Sequence, residues 1–187
     1  MSIQSFQEVL YAAVADAVQI SNSTVETIMI PDTAIPARFW YPGRTLKVTL
    51  SGKLSCVVTT PGTLTIRARA NGASGTLLAA SSALALNIIA QTDARVKFEF
   101  MLTCRAAAWS ATSGSMMTSG EVRLGVAQSV TPGATVPFDP NIPNTGTGVV
   151  SSLDLTSAMT LSFTAQFSVA TSPTNLLIDQ ATIEVMN

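Results

Sequence analysis

No histidine occurs anywhere in this sequence. Its absence removes the Ser-His and Cys-His nucleophile systems, the commonest general base and most zinc sites together. Cysteine is nearly absent too: Cys56 and Cys104 are too few for a disulfide scaffold. Charge is scarce, since only 11% of residues are Asp, Glu, Lys or Arg, less than half of the roughly 25% found in an average globular domain. The net charge of −1 lacks the clustered basic excess on which phosphate binding depends, so no nucleic-acid partner is expected. No run reaches the roughly 18 apolar residues of a membrane span. The nearest, 77–90, is interrupted by Ser81, Ser82 and Asn87, and no membrane partner is expected. The first charge is Glu8, so the start has no basic region of a secretory signal.

Glycoside hydrolysis needs only two carboxylates, and Asp93, Glu99, Glu121 and Asp154 are available, but no spacing selects a pair. Glu99 and Glu121 read instead as balancing Arg95, Lys97, Arg105 and Arg123 on a wet sheet face. Asp139, Asn141 and Asn144 resemble no calcium loop and read as turn residues. The expectation is a protein that is not an enzyme and holds no cofactor or metal.

What is abundant is alternation. Leu46, Val48, Leu50, Leu54, Cys56 and Val58 share one parity; Leu64, Ile66, Ala68 and Ala70 another; Val96, Phe98, Phe100, Leu102 and Cys104 a third. Val122, Leu124 and Val126 follow, then Met159, Leu161, Phe163, Ala165, Phe167 and Val169, and finally Ala181, Ile183 and Val185. Apolar residues at every second position, rich in Val and Phe, form strands with one face in a core and one face wet. Turn signals stand between them at Pro42-Gly43, Pro61-Gly62, Asn71-Gly72, Ser119-Gly120 and Pro132-Gly133. The pattern predicts an all-β fold, an antiparallel β-sandwich of the jelly-roll kind. Cys56 and Cys104 fall on the inward parity, either as buried thiols or as an inter-sheet disulfide.

Two regions break the alternation. Phe6, Val9, Leu10, Ala13, Val14, Ala17 and Val18 fit a helical stripe, so residues 1–20 are expected to form an N-terminal arm or short helix ahead of a single domain at 21–187. Residues 128–148 carry four prolines and read as a long loop. Charge is also uneven. Residues 1–123 hold all ten basic groups and seven acidic ones, net +3, against −4 for the remainder. Arg67, Arg69, Arg95, Lys97, Arg105 and Arg123 form either one solvated basic face or a dock for an acidic partner, such as the acidic C-terminal part of another copy.

The segments Asn22-Ser23-Thr24-Val25-Glu26-Thr27, Ile35-Pro36-Ala37, Gly43-Arg44-Thr45-Leu46-Lys47-Val48-Thr49-Leu50-Ser51-Gly52 and Pro61-Gly62-Thr63-Leu64-Thr65-Ile66 occur in that order. In texture this resembles the small β-sandwich virion proteins of tailed bacteriophages, of the capsid decoration (cement) kind, over roughly residues 1–125. The resemblance implies a homotrimer that binds the major capsid protein on the outer capsid surface after synthesis in the host cytoplasm. The alternative is a carbohydrate-binding module of a tail fibre or head fibre, with Trp40 or Trp109 stacking on sugars. The residues expected at a capsid or subunit interface are Phe6, Val9, Leu10, Val14 and Val18 of the arm, with Trp40 and Trp109.

Overall fold

The computed structural model describes residues 8–57, 59–107, 113–125, 141–143 and 147–186. In chain order the strands are β1 (Glu8–Ala12), β2 (Ile20–Ser21), β3 (Thr27–Ile28), β4 (Thr33–Ile35), β5 (Thr45–Cys56), β6 (Thr63–Ala70) and β7 (Thr76–Ala80). They continue with β8 (Leu84–Ala85), β9 (Gln91–Ala106), β10 (Gly114–Leu124), β11 (Asn141–Ile142), β12 (Val149–Leu153), β13 (Met159–Phe167) and β14 (Asn175–Val185). They build two antiparallel sheets. The larger runs β1-β14-β5-β9-β10-β11, with β12 also on β10 and β2 on β14. The smaller runs β3-β13-β6-β7, with β4 on β13 and β8 on β6. The chain is an all-β sandwich.

Alternation explains why these segments are strands. Along β5 the residues Leu46, Val48, Leu50 and Leu54 are buried, while Thr45, Lys47, Thr49 and Lys53 are partly exposed. β9 does the same with Phe98, Phe100 and Leu102 against Lys97, Glu99 and Met101. The inward side chains of both sheets merge into one core that includes Phe98, Phe100, Phe163 and Phe167. Burying an apolar side chain of this size contributes about 1.5–3 kcal/mol. Asn71-Gly72 closes the β6–β7 turn as its sequence predicts: both residues have positive φ, which Gly adopts freely and Asn tolerates.

Over the described residues 8–20 the N-terminal stripe forms the arm and not the helix. Glu8–Ala12 pairs antiparallel with β14, with an irregularity between Val9 and Tyr11. Two consecutive residues, Leu10 and Tyr11, therefore lean on the core, and this imitates helical spacing in the sequence. Of the long loop, Asn141–Ile142 is a short strand on β10, and Asp139 and Asn144 lie outside the described residues.

Cys56 and Cys104 are free and buried. Their strands are neighbours in one sheet and do not face each other across the core. Cys56 stands opposite Gln91 at the start of β9, whereas Cys104 lies near its end. At ~3.3 Å per residue the two are separated by about 40 Å, far beyond the ~7 Å Cα limit of a disulfide.

Candidate functional site

The arm is the first candidate surface. After β1 the chain continues along β14 without forming strand: the amide of Ala13 donates to Ala181 O (2.8 Å) and that of Ala17 to Ile178 O (2.9 Å). Leu10, Tyr11, Ala13 and Ala17 lie against the core. The residues between them point away: Val9 is 53% exposed, Val14 100% and Val18 85%. An open groove of about 520 Å³ separates Tyr11–Val18 from Ile28–Pro31 on the flank of the smaller sheet. Of the five arm residues expected at an interface, Val9, Val14 and Val18 are at the surface, Leu10 is half-buried, and Phe6 lies outside the described residues.

The aromatic corner before β5 is organised differently from its sequence expectation. Trp40 is only 3% exposed. Its indole N–H donates to Met159 Sδ (3.3 Å), and Phe39 packs edge-on against it with centroids 5.1 Å apart. A buried ring with its donor engaged offers no stacking platform and no interface contact, which corrects the expectation for Trp40. Trp109 lies outside the described residues. Tyr41 is 43% exposed, but one ring face is taken by Arg44, whose Cζ stands 4.0 Å from the Tyr41 centroid and 4.5 Å from that of Phe39. Arg44 Nη1 donates to Phe39 O (2.6 Å), while its buried Nε has no partner among the described residues. The sequence signal for this clamp was the run Phe39-Trp40-Tyr41-Pro42-Gly43-Arg44, in which rings and guanidinium stand within one turn.

The six outward basic residues do not share a face. Arg67 and Arg69 belong to β6 of the smaller sheet, and Arg95, Lys97, Arg105 and Arg123 to the larger. Arg69 grips Glu26 with two hydrogen bonds (2.6 and 3.0 Å), Arg67 lies 3.3 Å from the same carboxylate, and Thr164 Oγ1 donates to it (2.5 Å). Burial alone pushes the Glu26 carboxyl up, but the Arg69 and Thr164 hydrogen bonds and the two guanidinium charges outweigh it and hold the group below its ordinary value. Nothing in the sequence linked Glu26 to residues more than forty positions away.

On the larger sheet Glu99 and Glu121 stand directly opposite one another on β9 and β10. The Lys97 ammonium, 2.6 Å from Glu99, together with Lys47 at 3.9 Å, holds that carboxyl below its ordinary value. Arg123 pairs with Glu121 (2.6 Å). Both carboxylates thus spend their charge on neighbouring cations, as the wet-face reading expected. Arg105, expected among those cations, makes no ion pair among the described residues. Asp154 lies elsewhere, with Oδ1 accepting from Thr156 Oγ1 (2.8 Å), Thr156 N (3.0 Å) and Ser157 N (3.2 Å). Asp179 pairs with Arg95 of its own chain. Two of the acidic groups in the C-terminal part are therefore consumed internally, which weakens the expectation that they dock on another copy. Among the described residues no group of three His, Cys, Asp or Glu residues is placed to hold a metal, and no helix there is long and apolar enough to cross a membrane. What the described residues offer at the surface is an apolar strip on the arm and an arginine clamped between rings. No protein-family model matches the chain, and a search of curated proteins returned no significant match.

Proposed function

We propose that this protein is a structural, non-enzymatic virion component that decorates and stabilises a bacteriophage capsid as a homotrimeric cement protein, bound to the major capsid protein on the outer surface. The observation that carries the reading is the strip of Val9, Val14 and Val18, held outward on an arm fixed along the edge of the larger sheet. Exposed apolar side chains gathered on one arm mark a contact surface, for a second subunit or for a shell. A partner that binds only the assembled shell stabilises it by mass action, and linked copies add avidity. The nested pairing of β5 with β14, β6 with β13 and β9 with β10 supports the jelly-roll reading, although β9 lying against β5 departs from the usual winding. The carbohydrate-module alternative loses Trp40 as a platform.

Cryo-electron microscopy of the virus that encodes the chain, with gold-labelled antibody against the purified protein, tests the reading. Label on the shell is expected. Label on the tail or on fibres transfers the protein to the alternative, and unlabelled particles remove it from the virion.

A further inference from the structure

Most of the basic residues are neutralised within the chain: Lys47, Arg67, Arg69, Arg95, Lys97 and Arg123 all form ion pairs. Among the described residues Arg38, Arg44, Lys53 and Arg105 meet no carboxylate. Three of these four share one end of the sandwich. Arg38 and Arg44 bracket the connection that carries Tyr41, and Arg44 O accepts from Cys104 N (2.9 Å), which places Arg44 across from the strand position beside Arg105. Arg38 and Arg105 are exposed. Arg44 is clamped by rings, so little side-chain freedom is left for it to lose on binding.

The carboxylates divide in the same way. Glu26, Glu99, Glu121 and Asp179 are ion-paired, and Asp154 is held by its own turn. Glu8, Asp16, Asp32 and Asp93 are exposed and form no ion pair among the described residues. Asp93 stands apart at the start of β9, whereas Glu8, Asp16 and Asp32 lie on or beside the arm. Glu8 opens β1, Asp16 sits between Val14 and Val18, and Asp32 follows Pro31, which lines the same groove.

We infer that copies of this chain associate head to edge, with the Arg38–Tyr41–Arg44–Arg105 end of one copy docked on the arm edge of the next. The arginines meet Glu8, Asp16 and Asp32, and Tyr41 packs on the exposed valines. Arg and Tyr are the residue types that anchor interface centres, and opposite charges fix the register of the contact. The contact joins two different surfaces, so it is heterologous and closes into a ring when its rotation permits. The inference rests on the reading of the protein as a homo-oligomer, and it assigns the arm strip to the neighbouring subunit instead of the shell.

Native mass spectrometry and sedimentation velocity of the full chain test it with charge reversal at each surface. Arg44 is left in place because it packs within its own fold. Arg38→Glu with Arg105→Glu, and separately Asp16→Lys with Asp32→Lys, should each weaken association at least tenfold. Combining all four should bring it back to within a few-fold of the unmodified chain. Should a double variant lose its melting transition, the single changes Arg38→Glu and Asp32→Lys repeat the swap. A monomeric unmodified chain, or an oligomer indifferent to either reversal, overturns the inference. So does an arm variant that stays assembled but no longer co-sediments with capsid shells, a result that leaves the decoration reading intact.

Discussion

Phe100 of the larger sheet and Phe163 of the smaller meet with ring centroids 5.3 Å apart and planes tilted by 49°. Both are fully buried, so this contact is where the two sheets are locked face to face. Tilted aromatic pairs of this kind add about 0.5–1.5 kcal/mol beyond the area they bury.

Phe163→Ala removes that contact and leaves a cavity, and should cost about 3–5 kcal/mol in denaturant unfolding. A loss below about 1 kcal/mol would mean that β13 is not part of the core as described, since truncating a buried Phe to Ala costs about 3–5 kcal/mol.

The Glu26 cluster should make stability depend on acid. A carboxyl held below its ordinary value of 4.5 binds protons less readily in the folded chain than in the unfolded one. Its contribution is therefore complete above that ordinary value and is lost as pH falls through the lowered folded value. Glu26→Gln should flatten the acid limb of a stability–pH curve and, with Arg67 and Arg69 left partly buried without their carboxylate, cost about 1.5–3 kcal/mol at neutral pH. An unchanged acid limb would show that Glu26 is not the titrating group.

Asp154 offers a titration that needs no unfolding. Hydrogen bonds from the Thr156 and Ser157 hydroxyls and then from their amides hold its carboxyl down to about 2. Thr156→Val deletes the leading donor and should move the NMR titration of Asp154 upward, towards ordinary aspartate. A midpoint that stays in place would assign the shift to the Ser157 hydroxyl and the two amides.

Both thiols should resist labelling in the folded chain. Burial raises Cys56, against weaker backbone hydrogen bonds at Gln91 and Asn87, and burial alone raises Cys104, so little reactive thiolate is present near neutral pH. Two equivalents of iodoacetamide should be taken up only on unfolding, with or without prior reductant. Uptake that needs reductant would reveal a disulfide, which the register of β5 on β9 forbids.

Much of the fold was legible because alternation is a local property. Leu46 to Leu50 and Val96 to Leu102 each declare their buried face within a few residues, whereas in Met159 to Phe167 the outward-parity Ser162 and Thr164 are buried as well. Where legibility failed, the cause was also local. In β14 a register shift between Ile178 and Gln180 flips the parity, so Leu176 and Ile178 point inward on even positions and Ala181 and Ile183 on odd ones. The first half of β10 buries Gly114, Met116 and Thr118, of which only Met116 carries an apolar signal. The arm read as a helix because a bulged strand places apolar residues at similar spacings.

The sequence alone determined that the chain is built from half-buried strands, that it carries little charge, and that histidine chemistry is excluded. Each of these follows from composition or from neighbours two residues apart. Only the tertiary structure decided that Trp40 is buried on Met159, that Glu26 serves Arg67 and Arg69, and that the basic residues split between two sheets. Among the described residues it also set Arg38, Arg44 and Arg105 at one end and Glu8, Asp16 and Asp32 on or beside the arm. Such pairings depend on which distant strands become neighbours, and that is fixed by sheet order and register across the whole chain, which no short window of sequence contains.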